Sequence, residues 1–585
     1  MQKSNEHIFL SNSMTSALES NGEIDWFPCP RFDSDSIFSK ILGDDRAGYF
    51  SIKPKLDYTL HTSYVGNSLA VLNTFETKKG RLKLIDFIPL GMPAIMRIFD
   101  SEIPFTVDVK PVFCYGSIKA EVSKETNGFT FRNPKAEDSL EIGIKGKYSE
   151  DKEGRITVEK GRGHVFALYS KNSRYGLFGS GGSVFGHPNE AYESMIKYWN
   201  MQISMARSVS TFKKAYQRSI ATILGLMYLP SGAVIAASSA SLPEIIGGLR
   251  NWDYRYVWIR DASYAANSLS KAGLFSKSRR ILNFMISVVD PSSKTFNHPL
   301  YSVDGTAPAP EETLSWLAGN RNSKPVRIGN DAYIQMQKDI EGAFMDALYV
   351  YTVNSKDTVL AQESWWVVES IARWVTSSWK DKSISLWEER SEQKHYVHTK
   401  LMDYVSLDRA SKLAKILDKQ DFTYKWDKIK SAIKNDFLKN GFLTKRGAFV
   451  NYYGSESLDA SLLCLPLYDA IDISDKRFLS TLSQIEAELS VDEGLLLRYK
   501  SDFAGDVVHP FTLLSTWLAR VYIKLGELDK AKHIINILID NSTSQYLMSE
   551  HVDHILNESR GNFPQLFPHA GLVEAIIDYE DKKIS

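Results

Sequence analysis

Leu513-Leu514-Ser515-Thr516-Trp517-Leu518-Ala519-Arg520-Val521-Tyr522-Ile523-Lys524-Leu525 is followed by Gly526-Glu527, and then by Leu528-Asp529-Lys530-Ala531-Lys532-His533-Ile534-Ile535-Asn536-Ile537-Leu538-Ile539. In both runs apolar residues recur three and four positions apart, which is the period of a helix with one buried face. A glycine between two such runs ends the first helix and frees the chain to start the second. The stretch therefore predicts a helical hairpin around Gly526. Asp408 to Leu417 and Tyr424 to Leu438 predict another pair, and Phe212 to Leu224 a further helix. Helix pairs repeated over roughly 370 residues predict an all-α domain such as an α/α toroid.

Towards the N-terminus the period changes. From about residue 8 to 185, short apolar runs alternate with polar residues, as in Phe105-Thr106-Val107-Asp108-Val109-Lys110-Pro111-Val112. Asn127-Gly128, Glu153-Gly154 and Gly161-Arg162-Gly163 read as turns between such runs. Many short strands at this spacing predict a large antiparallel sandwich. Ala191 to Met205 reads as a linking helix. The chain is thus expected to divide into a β-sandwich at 1–188, a linker helix at 189–210 and a helical domain at 211–585. Gly179-Ser180-Gly181-Gly182-Ser183-Val184-Phe185-Gly186 lacks both the GxGxxG spacing and a following Gly-Lys-Ser/Thr. It reads as an interdomain turn rather than a nucleotide loop.

Composition removes several classes of function. The chain has 585 residues, with Lys+Arg and Asp+Glu equal at 70 each, so no general positive field recommends nucleic acid as a partner. Three scattered cysteines, Cys29, Cys114 and Cys464, imply neither a disulfide framework nor a CxxC pair. No basic-then-apolar leader is visible after Met1, and no apolar run approaches the ~20 residues that span a bilayer. A cytoplasmic protein without a membrane partner is expected; homo-oligomerisation is left open. No HExxH or G-x-S-x-G occurs, and Asp33-Ser34-Asp35-Ser36-Ile37-Phe38 lacks the glycine of an EF-hand loop, so no metal site is expected. His395 and His398, three apart on an expected helix, read as a hydrogen-bonded structural pair.

Three clusters carry the chemistry. Gly248-Leu249-Arg250-Asn251-Trp252-Asp253-Tyr254-Arg255-Tyr256-Val257-Trp258-Ile259-Arg260-Asp261-Ala262 mixes Trp, Tyr, Arg and Asp. Such groups are costly to bury unpaired, and aromatics are poor choices for a solvated face. A site that stacks and hydrogen-bonds a polyol uses both kinds. A structural ion-pair network, such as Arg260 with an Asp, would use them too. The second cluster is Leu386-Trp387-Glu388-Glu389-Arg390, and the third is Ser549-Glu550-His551-Val552-Asp553 followed by Gly561-Asn562-Phe563-Pro564-Gln565. Glycoside hydrolysis by inversion needs one protonated carboxyl for the leaving oxygen and one ionised carboxylate to activate water.

These clusters resemble glycoside hydrolase family 15, the family of glucoamylases, glucodextranases and a branch of prokaryotic trehalases. The resemblance runs over nearly the whole chain. In the N-terminal part it is carried by Gly22-Glu23-Ile24-Asp25-Trp26, Pro30-Arg31-Phe32-Asp33-Ser34 and Gly80-Arg81-Leu82-Lys83-Leu84-Ile85-Asp86-Phe87-Ile88-Pro89, similar to the β-sandwich of the trehalase-like branch. The later part resembles the family's (α/α)6 barrel, which implies that 211–585 is the catalytic domain. Trp258-Ile259-Arg260-Asp261 is similar to the segment whose Arg and Asp hold the terminal glucose. Trp387-Glu388-Glu389 is similar to the general-acid motif, which makes Glu388 the acid and puts Glu389 near the leaving sugar. Ser549-Glu550 is similar to the general-base motif, which makes Glu550 the base, and Arg498-Tyr499 to the pair beside the non-reducing glucose. Asn251 to Tyr256 and Lys324-Pro325-Val326-Arg327-Ile328-Gly329-Asn330 are closer to the trehalase-like branch. Val507-Val508-His509-Pro510-Phe511 departs from the Gly-Glu-Gly-x-Phe of many relatives.

The resemblance implies an inverting, exo-acting α-glucoside hydrolase. Trehalose is the first expected substrate and maltooligosaccharides the second, with a disaccharide phosphorylase or a non-catalytic sugar sensor as rivals. Arg260, Asp261 and Arg498 would grip the terminal glucose, with Trp258 and Tyr254 lining its pocket beside Trp387. The mechanism requires no cofactor; phosphate or Mg²⁺ dependence is left open.

Overall fold

The computed structural model describes residues 6–151, 155–171, 185–293, 295–502 and 504–584. The predicted turns at Glu153-Gly154 and over Gly179–Val184 lie outside these residues. The N-terminal part holds two antiparallel eight-stranded sheets. The first runs Ile8–Ser11, Ser16–Ser20, Glu23–Pro28, Tyr49–Pro54, Phe105–Lys110, Ile156–Val158, Tyr148–Glu150, with Ser36–Phe38 also pairing Glu23–Pro28. The second runs Glu121–Glu125, Gly128–Arg132, Asp138–Lys145, Gly161–Lys171, Ala94–Ser101, Gly80–Phe87, Val71–Thr77, Tyr58–Tyr64.

Alternation places one face of each sheet in a shared core. Phe99 of the second sheet meets Phe105 of the first edge-to-face, with centroids 4.9 Å apart. A fully buried ion pair crosses the same space. Arg97 holds Asp86 at 2.8 Å and donates to the carbonyls of Phe50 and Gly22 in the opposite layer. Every charge-bearing atom of that pair has a partner, which is the condition for burying it.

Gly161-Arg162-Gly163 is not the expected turn. It opens the strand Gly161–Lys171 and pairs with Ser101, Asp100 and Phe99. A Cβ on Gly163 would lie 1.9 Å from the Lys145 carbonyl oxygen, so the glycine serves a close backbone approach.

A helix at Pro188–Ser204 leads into the helical part. Six inner segments follow one another around a closed ring: Ile259–Lys271, Ile340–Ser355, Val397–Ile416, the short pair Ala460–Leu463 and Cys464–Leu467, Thr512–Leu525 and Leu566–Ile584. The last packs back on the first. Six outer helices back them: Phe275–Ser287, Trp365–Ser378, Thr423–Asn440, Lys476–Leu489, Leu528–Asp540 and Lys213–Gly225. This is an (α/α)6 barrel. The two kinds of helix bury different surfaces. Leu528–Asp540 buries one stripe, Ala531, Ile534, Ile535 and Leu538, whereas Ile259–Lys271 is buried nearly all round.

The hairpin around Gly526 is present as Thr512–Leu525 and Leu528–Asp540, with Gly526 in the left-handed region at φ 82°. The helix read from Asp408 starts eleven residues earlier, at Val397, because its first turns are buried on all sides and carry no amphipathic period. His395 lies before that helix and stacks on Tyr453, while His398 is buried inside it. Among the described residues no hydrogen bond joins the two histidines, so the expected pair is not formed. No described helix is long and apolar enough to cross a membrane.

The sandwich buttresses one barrel loop from behind. Trp26 donates to the Ser238 carbonyl at 2.7 Å, and Arg255 donates to the Ser34 carbonyl at 2.6 Å. The Arg255 guanidinium also lies over the rings of Trp26 and Tyr115.

Candidate active site

The stretch Trp252-Asp253-Tyr254-Arg255 alternates like a strand, and the alternation sorts its side chains. Asp253 and Arg255 point back, pair with each other at 2.6 Å and are almost fully buried. Trp252 and Tyr254 line the cleft on the other side. The sandwich contacts of Arg255 thus fix the wall that carries Tyr254.

The cleft has two adjoining chambers, with about 420 and 460 Å³ of free space when the parts open to solvent are counted. The inner chamber brings together Tyr254, Trp258, Arg260, Asp261, Trp387, Glu388, Arg498 and Glu550 with Phe511, Gln565 and Phe567. The outer one is lined by Glu244, Arg250, Trp252, Gln335, Arg390 and Asp502. Tyr254, Trp387, Glu388 and Arg498 form the wall that the two share. Glu389 lines neither; its carboxylate accepts from Tyr396 at 3.2 Å and Ser391 at 3.4 Å.

Glu388 sits in the left-handed region at φ 59°, an uncommon place for a side-chain-bearing residue. Its Oε1 accepts from Trp258 Nε1 at 2.5 Å, Arg260 at 3.1 Å and Gln337 at 3.1 Å. Gln335 holds its backbone carbonyl at 3.3 Å. Three donors on one oxygen fix the carboxyl's orientation and leave Oε2 without a hydrogen bond from any described residue. Arg260 is held in turn by Gln337 at 3.0 Å and Asp339 at 3.2 Å.

Glu550 is 3% exposed. Its backbone is tied to Asn562 and Thr512, and its Oε1 accepts from Tyr254 at 2.8 Å. Gly561 is required behind it, since a Cβ there would come within 2.5 Å of Glu550 Oε2. Burial, then the nearby Glu244 carboxylate, raise the proton affinity of Glu550; Arg498 and the Tyr254 hydrogen bond oppose them. Burial likewise lifts Asp261 to about 8 against the pull of Arg260.

Several buried polar atoms of inner-chamber residues have no hydrogen-bond partner: Arg498 Nε and Gln565 Oε1, and also Arg260 Nε and Asp261 Oδ2, which face each other at 3.8 Å, beyond hydrogen-bond distance. Buried polar groups are ordinarily satisfied. A set of donors and acceptors without hydrogen bonds in one small chamber suits a ligand dense in hydroxyls.

Glu244, Glu550 and His551 form the one group among the described residues whose donor atoms could surround a cation, all within 4.8 Å. Arg498 already donates to Glu244 there at 2.9 Å, bringing its own positive charge.

Sequence reasoning missed Glu244, Gln335, Gln337 and Asp339 as parts of this site, and gave no role to Arg250 and Gln565, which stood in its first and third clusters. Gln335, Gln337 and Asp339 recur two residues apart in the segment that leads into the helix Ile340–Ser355, which was the available signal.

Comparison with known proteins agrees with the geometry. The model of Glycosyl hydrolases family 15 matches residues 210–577, and that of the trehalase-like N-terminal domain matches residues 3–140. The chain belongs to glycosyl hydrolase family 15 and is a glycoside hydrolase. It is 48% identical to "Trehalase 2" of Sulfolobus acidocaldarius, over 98% of this chain and 99% of that one. It is 40% identical to "Trehalase 1" of the same organism, over 97% of each. A bacterial glucoamylase solved with acarbose shares the fold at TM-score 0.75 and 14% identity, covering 99% of this chain and 95% of that one.

Proposed function

We propose that this protein is a trehalase, hydrolysing trehalose to two glucose molecules with inversion at the attacked carbon. The observation that carries the substrate is the 48% identity, over nearly the full length of both chains, to a protein named trehalase. The mechanism rests on two carboxyls facing one chamber.

One glucose unit of trehalose occupies the inner chamber, where Arg260, Asp261 and Arg498 bind its hydroxyls and Trp258 lies along its wall. The glycosidic oxygen lies at the shared wall beside Glu388. Water stands on the far side of the anomeric carbon, next to Glu550. Glu550 takes a proton from the water as its oxygen bonds to that carbon. The carbon–oxygen bond to the leaving glucose breaks, and Glu388 gives its proton to the departing oxygen. One β-glucose and one α-glucose result. Every step uses side chains of this chain and water.

Glucose release from trehalose, maltose and maltotriose, measured side by side, tests the proposal. Trehalose is expected to be cleaved with the highest kcat/KM. Preference for maltotriose would assign the protein to the glucoamylases instead, and glucose 1-phosphate in phosphate buffer would make it a phosphorylase.

A further inference from the structure

The outer chamber has a built end wall that the hydrolytic steps do not use. Trp252 lines it, and two guanidinium groups lie over that indole, Arg327 at 4.3 Å and Arg390 at 4.2 Å from the ring centroid. Both arginines are held by one carboxylate. Arg327 Nε meets Glu311 at 3.1 Å, and Arg390 binds both oxygens of Glu311, NH1 at 3.2 Å. Arg327 also donates to the carbonyls of Leu249 and Asn251 at 2.8 and 3.2 Å.

The four side chains therefore staple three separate loops. Trp252 belongs to the aromatic stretch, and Arg390 follows Glu388 by two residues. Glu311 and Arg327 stand at the start of the hairpin Glu312–Thr313 and Arg327–Ile328. Arg390 is the outermost member, its side chain 34% exposed against 10% for Glu311 and 14% for Arg327. Guanidinium stacking and a two-point carboxylate clamp favour a fixed geometry over a mobile rim.

We propose that Trp252, Arg327, Arg390 and Glu311 form a latch that caps the leaving-sugar chamber and limits the substrate to two sugar rings. The proposal rests on the reading that Glu388 protonates the bond at the wall between the chambers. One ring then fills the inner chamber and one the outer. A third ring has to pass where Arg390 crosses to Glu311. Specificity of this kind comes from obstruction of the longer competitor rather than from added affinity for the shorter.

Calorimetric titration of the full chain with two probes tests this without relying on turnover. Deoxynojirimycin is one ring and fills the inner chamber alone; acarbose has four and must extend past the latch. Wild type is expected to bind acarbose no more tightly than deoxynojirimycin. Arg390→Ala and, independently, Glu311→Gln are each expected to shift the ratio of the two Kd values about tenfold or more towards acarbose. Thermal melts show that each variant is folded, and Glu311→Gln opens the clamp without altering a chamber-lining residue. A ratio unchanged in both folded variants overturns the proposal, as does wild type already favouring the longer probe. Failure of the trehalase reading shows separately, in the wild-type substrate panel.

Discussion

Glu388→Gln is expected to lower kcat for trehalose by about 10²–10⁴-fold, the usual worth of a positioned proton donor, while the protein stays folded. Glutamine keeps the size of the side chain and an oxygen for the donors now on Oε1, which are Trp258, Arg260 and Gln337. Arg260 loses a charged partner but keeps Asp339. The positive φ at residue 388 suits either side chain equally. What glutamine lacks is a proton for the leaving oxygen. The loss should therefore fall on kcat, with a smaller change in KM. Near-normal turnover by a folded Glu388→Gln protein would remove Glu388 from the role of acid.

Glu550→Gln is expected to cost a similar factor, about 10²–10⁴, with a different pH signature. The base works only when ionised. Burial and Glu244 raise its proton affinity, so kcat/KM of wild type should climb with pH through a range above that of an ordinary carboxylate. Below that range Glu550 holds its proton and cannot accept one from water. In Glu550→Gln this acid limb should vanish together with the rate. Stability should not fall, because the substitution removes one of two neighbouring buried carboxylates while keeping an acceptor for Tyr254. An unchanged acid limb in the variant would assign that titration, and the role of base, to another group.

The fold was legible wherever one face of an element is wet. The Thr512–Leu525 and Leu528–Asp540 hairpin showed because its outer helix is striped. The first turns of Val397–Ile416 did not, because a helix buried all round has no period to read. Gly163 misled because a glycine needed for close strand packing looks the same in sequence as one needed for a turn. In the site, Tyr254, Trp258, Arg260, Asp261, Trp387, Glu388, Arg498 and Glu550 stood in recognisable segments and meet in one chamber. Glu244 was invisible because it is a lone polar residue that matters only through a neighbour distant in the chain. The part played by the sandwich was equally hidden. It depends on Trp26 and Ser34 meeting the barrel across more than two hundred residues of sequence.

Proton NMR of the first moments of trehalose cleavage tests the central claim most directly. Inversion at one carbon, with the other glucose leaving unchanged, predicts α- and β-glucose appearing in equal amounts before mutarotation. Release of α-glucose alone would show retention and contradict a mechanism in which Glu550 activates water for direct attack.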